Sequence, residues 1–216
     1  MKEKFSFKAT KFDYVNQKAK LVIVGITPGN SQLDGSREGM SPREIKREYA
    51  FAGKMRPNLV NMLDYIGVNS LLNIESCKSF WDDDFDKVDM TSLLVDATYE
   101  IKKDGTEEMF RHAEKIAKSA ELTKRLEEGF VKNCKKYENP LLFVACGSGV
   151  YDVLKRLQEE KKINGKVVAI AHPSGANMKC IQCYLGKKEP TTQSLQKYME
   201  QAKEAKNCIT LLKAQK

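Results

Sequence analysis

With 216 residues, 41% of them hydrophobic and 31% charged, the chain has the make-up of a single globular domain spanning residues 1–216, well away from disordered or membrane-spanning compositions. Its start, MKEKFSFKAT, lacks the continuous apolar core of a signal peptide, and no stretch approaches the roughly 18 apolar residues of a membrane span, so a cytoplasmic protein with no membrane association is expected. The formal charge of +8 creates a positive field that attracts polyanions without naming one.

In chain order, Lys20 to Val24 (KLVIV) is the first predicted strand, a β-branched run that breaks at Gly25 and Pro28. Leu59, Met62, Leu63 and Ile66 share one face of a helix predicted from Ser41 to Ile66, with Ser41 and Pro42 as cap and first turn. Lys87 to Leu94 is a second strand candidate. From Glu107 to Lys136, apolar residues recur at helical intervals among charged ones, which predicts one or two surface helices. Pro140 introduces LLFVAC, the third strand, which ends at Gly147 and Gly149. A helix then follows from Val150 to Lys161. Asn164 and Gly165 turn the chain into KVVAIA, the fourth strand, which stops at His172 and Pro173, and a last helix is predicted from Thr192 to Lys206.

Strands separated by helical segments predict a three-layer α/β/α fold around a central, mostly parallel four-stranded sheet. Ligands of such sheets bind outside the carboxyl ends of the strands. Three of these ends carry unusual loops, GITPGN, CGSG and HPSGAN, so the expected site lies along that edge. In the first loop Gly25, Pro28 and Gly29 allow tight turns and close approach to main-chain amides, while Ile26, Thr27 and Asn30 complete it. In the last, His172 leaves a buried strand, Pro173 restricts its backbone, and Ser174 and Asn177 add polar groups. Cys180 and Cys183 form a lone CxxC without a second CxxC or a nearby His pair, so no metal site is expected and the six cysteines are read as free thiols.

The two loops together resemble the uracil-DNA glycosylase superfamily. Its first motif, G-x-x-P-G or G-x-x-P-Y, matches Gly25, Pro28 and Gly29, and its last, H-P-S-x-x-[NS], matches His172, Pro173, Ser174 and Asn177. FAGKMRPNLV from Phe51 is similar to the helix start of the superfamily's iron-sulfur branch, and LLFVACGSGV to its third-strand segment. The resemblance implies a DNA N-glycosylase that flips a uracil or related damaged base into the pocket. It implies His172 as donor to the leaving base, Phe51 as stacking partner, and Gly147 and Ser92 among the substrate contacts. Thr27 would stand at the water-activating position, where the family usually has Asp, Asn or Glu, with Asn30 or Asp34, close behind it, to supply the missing water-orienting group. Gly29 stands where some members carry a Tyr, and Ala176 falls at the wedge position with Met178 nearby. The early CxxC of the cluster-binding branch is missing, so no cofactor is expected. DNA, single- or double-stranded, is the implied partner of a monomer. The alternative is a nucleic-acid or nucleobase binding module with the same fold and little or no hydrolysis.

Overall fold

The computed structural model describes residues 4–10, 14–29 and 39–215. Its strands in chain order are β1 (Phe5–Lys8), β2 (Leu21–Gly25), β3 (Val88–Ser92), β4 (Ala97–Ile101), β5 (Glu107–Met109), β6 (Leu142–Cys146) and β7 (Lys166–Ile170). β3, β2, β6 and β7 pair in that order into a sheet in which every neighbouring pair is parallel. The helices are α1 (Pro42–Tyr49), α2 (Met55–Ile66), α3 (Val68–Leu72), α4 (Ala120–Leu126), α5 (Lys132–Cys134), α6 (Ser148–Glu159), α7 (Met178–Tyr184) and α8 (Gln193–Ala214).

The central strands explain why the sheet has helices on both faces. Alternate residues of a strand point to opposite sides. Leu21 and Ile23 of β2, with Leu142 and Val144 of β6, belong to one apolar core, and Val22, Val24, Phe143 and Ala145 belong to another. Leu59, Met62, Leu63, Tyr184, Ala205 and Ile209 from α2, α7 and α8 cover the first face. Leu122, Leu126, Val153, Leu154 and Leu157 from α4 and α6 cover the second. A strand apolar on both faces requires two helical layers, and the result is a three-layer α/β/α fold. The chain passes from β2 outward to β3, then crosses back to β6 on the other side of β2. That reversal opens a crevice at the carboxyl ends of β2 and β6, where ligands bind in sheets of this type.

The elements differ from the sequence expectations in several places. The helix predicted from Ser41 to Ile66 is two helices, because Phe51 adopts φ 51° and Gly53 φ 68°, and two left-handed residues so close together end a right-handed helix. Trp81 Nε1 donates to the Ala50 carbonyl at 3.0 Å and Arg56 donates to the Glu48 carbonyl at 2.6 Å, which satisfies two of the acceptors freed where α1 ends. α1 begins in a capping box, with the Ser41 hydroxyl accepting from the Glu44 amide and the Glu44 carboxylate accepting from the Ser41 amide. Replacing Ser41 by Ala is expected to lower stability by about 1 kcal/mol, measured by urea unfolding.

The stretch from Glu107 to Lys136 opens on a strand rather than a helix, and neither β1 nor β4 is expected from the sequence. β1, β4 and β5 form an antiparallel sheet in which Gly105, at φ 86°, turns β4 into β5. Their sequences are short, and β5 is mostly charged. Lys8–Glu107 at 2.7 Å reaches from β1 to β5 across β4, and Lys102–Glu108 at 2.9 Å joins the residue after β4 to β5, ion pairs that only the pairing reveals. Farther on, Ala113–Lys118 is a 3-10 helix, and a π turn over Glu127–Val131 joins α4 to α5. α8 also runs past its predicted end at Lys206 as far as Ala214, since Ile209 and Leu212 are buried.

Near the amino end of β3 lies a buried charge network. Lys46 of α1 and Asp89 of β3, each 1% exposed, meet at 2.7 Å, and Lys46 also donates to the Tyr14 carbonyl. The other Asp89 oxygen accepts from Tyr137 at 2.7 Å, and the Met90 amide donates to the first at 2.8 Å. Burial, reinforced by the Asp89 charge, holds the Tyr137 phenol well above its ordinary pKa, so it stays protonated and donates.

Candidate functional site

At the carboxyl edge of the parallel sheet is a cavity of about 710 Å³. The end of β2 and its loop contribute Gly25, Ile26, Thr27, Pro28 and Gly29, the end of β3 contributes Ser92, and the end of β6 contributes Cys146 and Gly147. His172, Ser174 and Asn177 reach it from the loop after β7, and Phe51 from the elbow between α1 and α2. Residues proposed from five separate segments thus line one space. Asn30 and Asp34 lie outside the described residues. Met178 is exposed at the start of α7, outside the cavity lining, with its sulfur 3.7 Å from Asn58 Nδ2, whereas Ala176 lines the cavity.

Ladder bonds that continue past the strand ends hold these loops together. The Leu93 and Leu94 amides donate to the Gly25 and Ile26 carbonyls at 3.0 and 2.9 Å, and the Gly147 amide donates to Ile170 at 2.9 Å. Gly147, at φ 106°, adopts a conformation that a side chain would strain, and a Cβ there would stand 3.8 Å from His172 Cβ. The turn that starts α6 therefore packs directly beside the imidazole.

His172 is half-buried, and its Nδ1 accepts from the Ser174 amide at 3.3 Å. A neutral ring with Nδ1 as acceptor carries its proton on Nε2, which makes the remaining nitrogen a donor. Burial, and secondarily the Arg111 charge, lower the His172 pKa from its usual value, so the ring is neutral at pH 7. Asn177 Nδ2 donates to Ser174 Oγ at 3.0 Å, and Asn58 Nδ2 donates to the Pro173 carbonyl at 2.9 Å. The loop that carries His172 is thereby tied to itself and to α2.

Thr27 is held differently. Its hydroxyl donates to the Asp96 carbonyl at 2.9 Å and accepts from the Thr98 amide at 2.9 Å, which fastens the first loop to β4. Its proton is committed to that bond, and one lone pair is left for a ligand or water. Asp96 in turn takes Arg125 at 2.9 Å, and the Arg125 guanidinium lies over the Phe7 ring.

Apart from these groups the lining is apolar, with Met55, Met90, Val95, Met109 and Phe110 facing the space. Two charged residues that sequence reasoning missed also line it, Arg111 and Glu114. Both follow β5 and reach the cavity only because the β4–β5 hairpin packs beside the first loop. The one signal in the sequence is the histidine between them, His112, since the chain has two histidines in all. Among the described residues no group of three or more His, Cys, Asp or Glu side chains is placed to hold a metal ion. All six cysteines are free thiols, with Cys77, Cys134, Cys146 and Cys183 buried. No described helix is long and apolar enough to cross a membrane.

No family model matches the chain. Over 180 residues it is 26% identical to a Bacillus subtilis protein named "Uncharacterized protein YoxB", a match covering 76% of this chain and 68% of that one. The crystal structure of wild-type Pedobacter heparinus SMUG2 is similar at 14% identity and a TM-score of 0.47, over 90% of this chain and 76% of that chain. Neither similarity assigns a residue.

Proposed function

We propose that the cavity receives a nucleobase flipped out of DNA and that the protein hydrolyses its N-glycosidic bond, with uracil or a related damaged base as the leaving group. The observation that carries this reading is His172, a neutral imidazole held by Ser174 so that its Nε2–H donates, in a largely apolar cavity lined also by Phe51 and Ser92. Breaking the bond sends negative charge onto the base oxygen, and a donor already in place there stabilises the departing anion. Phe51 offers a ring for stacking, a contact worth about 1–3 kcal/mol per base in single-strand binders. Ser92, at the end of β3, offers a hydroxyl to the base edge. Gly25, Ile26, Pro28, Gly29, Gly147, Ser174 and Asn177 shape the rim, and Met178, exposed beside it, is placed to fill the gap that a flipped base leaves in the stack. The surplus of lysine and arginine supports phosphate contacts that carry no sequence information.

A second reading is a nucleobase-binding module with little hydrolysis, and the commitment of Thr27 to Asp96 and Thr98 favours it. Uracil-containing single- and double-stranded oligonucleotides, incubated with the protein and then treated with alkali, separate the two. Strand breaks at the uracil position are expected. Salt-sensitive binding without breaks would leave the binding module, and neither binding nor breaks at low salt would sink both.

A further inference from the structure

We propose that Glu114 is the carboxylate that takes the proton from the attacking water, an assignment that rests on the glycosylase reading above. Hydrolysis needs a proton acceptor beside the sugar's C1′. Most polar groups lining the cavity are unsuited to this. The Thr27 hydroxyl is tied to Asp96 and Thr98, the Ser174 hydroxyl takes the Asn177 amide, and His172 Nδ1 takes the Ser174 amide. Arg111 has no acceptor. Glu114 is the one carboxylate among the described residues that line the cavity.

Its place follows from the small antiparallel sheet. The Thr98 amide donates to Thr27, and the Thr98 carbonyl accepts from the Phe110 amide at 2.9 Å, so the chain after β5 enters beside the first loop. It then crosses to the first turn of α6. There a Cβ on Gly149 would stand 3.2 Å from Ala113 Cβ and 3.9 Å from Glu114 Oε2. Gly149 thus lets Ala113 dock, with the carboxylate at ordinary contact distance from the same turn. The other oxygen, Oε1, is 3.2 Å from His112 Nδ1. His172 lines the cavity, and His112, which does not, meets it only through Glu114.

In the reaction the bond between C1′ and the base nitrogen breaks, and its electron pair leaves with the base, whose oxygen meets the His172 Nε2–H. The water oxygen bonds to C1′ and one water proton passes to Glu114. The other stays on the new C1′ hydroxyl. The departing base then takes up a proton through solvent, and Glu114 returns to its starting state.

The test is single-turnover excision with wild-type protein, Glu114→Gln and Glu114→Ala, on whichever base the wild type removes, alongside DNA binding and thermal melting. Glu114→Gln is expected to lower the rate by about 10²-fold, with binding and melting unchanged. Added formate is expected to restore part of the Glu114→Ala rate by supplying a small carboxylate. A Glu114→Gln protein as fast as wild type overturns the assignment and leaves the glycosylase reading standing. So does a slow variant that melts earlier and ignores formate, since that marks Glu114 as a structural partner of α6. A wild-type protein that releases no base overturns both.

Discussion

Replacing His172 with alanine is expected to slow base excision by about 10²–10³-fold while DNA binding changes little, because a donor aimed at a developing anion acts mainly in the transition state. The backbone around it has no reason to collapse, since Asn58 and Asn177 hold the loop through the Pro173 carbonyl and the Ser174 hydroxyl rather than through the ring. Single-turnover kinetics measure the loss, and an alanine variant that excises at the wild-type rate would remove His172 from the mechanism. The same residue sets an acid limb. Protonation puts a hydrogen on Nδ1, where the ring now accepts from Ser174, so the cationic form cannot keep this geometry. Because burial and Arg111 lower the folded-state pKa, the folded protein keeps His172 neutral to lower pH than the unfolded chain does. Its contribution to stability is thus fully present above the unfolded value of about 6.5, and is lost as pH falls from there through the folded value. Arg111→Gln removes the nearby positive charge and is expected to move the acid limb of the rate profile toward higher pH. A limb that stays in place would mean that burial alone sets it.

The largest loss of stability is expected from breaking the Lys46–Asp89 pair on one side. Lys46→Met leaves a buried carboxylate with Tyr137 and the Met90 amide but no counter-charge, and Asp89→Leu leaves a buried ammonium with only the Tyr14 carbonyl. Each is expected to cost about 3–5 kcal/mol in urea unfolding. The combined Lys46→Met and Asp89→Leu variant is expected to recover part of that, because no charge is then stranded. Equal losses in single and double variants would show that packing, not charge, makes the network matter. The pair also has a bearing on the site, since it joins α1, which ends just before Phe51, to β3, which ends at Ser92.

Phe51 shows how a candidate residue can be identified while its setting is missed. The helical spacing around it reads as one continuous helix, since hydrophobic periodicity carries no record of a single left-handed residue. A non-glycine residue at φ 51° costs on the order of 1–3 kcal/mol. That cost is offset here by partners distant in sequence, among them Trp81 at the end of α1. Thr27 gives the complementary case. Its position beside the cavity is readable from the turn that Pro28 and Gly29 make, but its bond to the Thr98 amide depends on a strand, β4, whose five residues are too few to announce it.

The four parallel strands, their order of appearance and the loops at their carboxyl ends could be read from the amino-acid order, because a strand buried on both faces writes itself as a continuous apolar run closed by glycine or proline. That included the edge at which residues 25–29 and the loop after His172 line one cavity. The antiparallel β1–β4–β5 sheet, the elbow at Phe51, the Nε2–H form of His172 and the arrival of Arg111 and Glu114 emerged only on folding. Each depends on a hydrogen bond or a packing contact made in three dimensions, several of them between residues far apart in the chain. Local pattern carries no trace of such pairings, and here they set the charge and hydrogen-bonding character of the cavity.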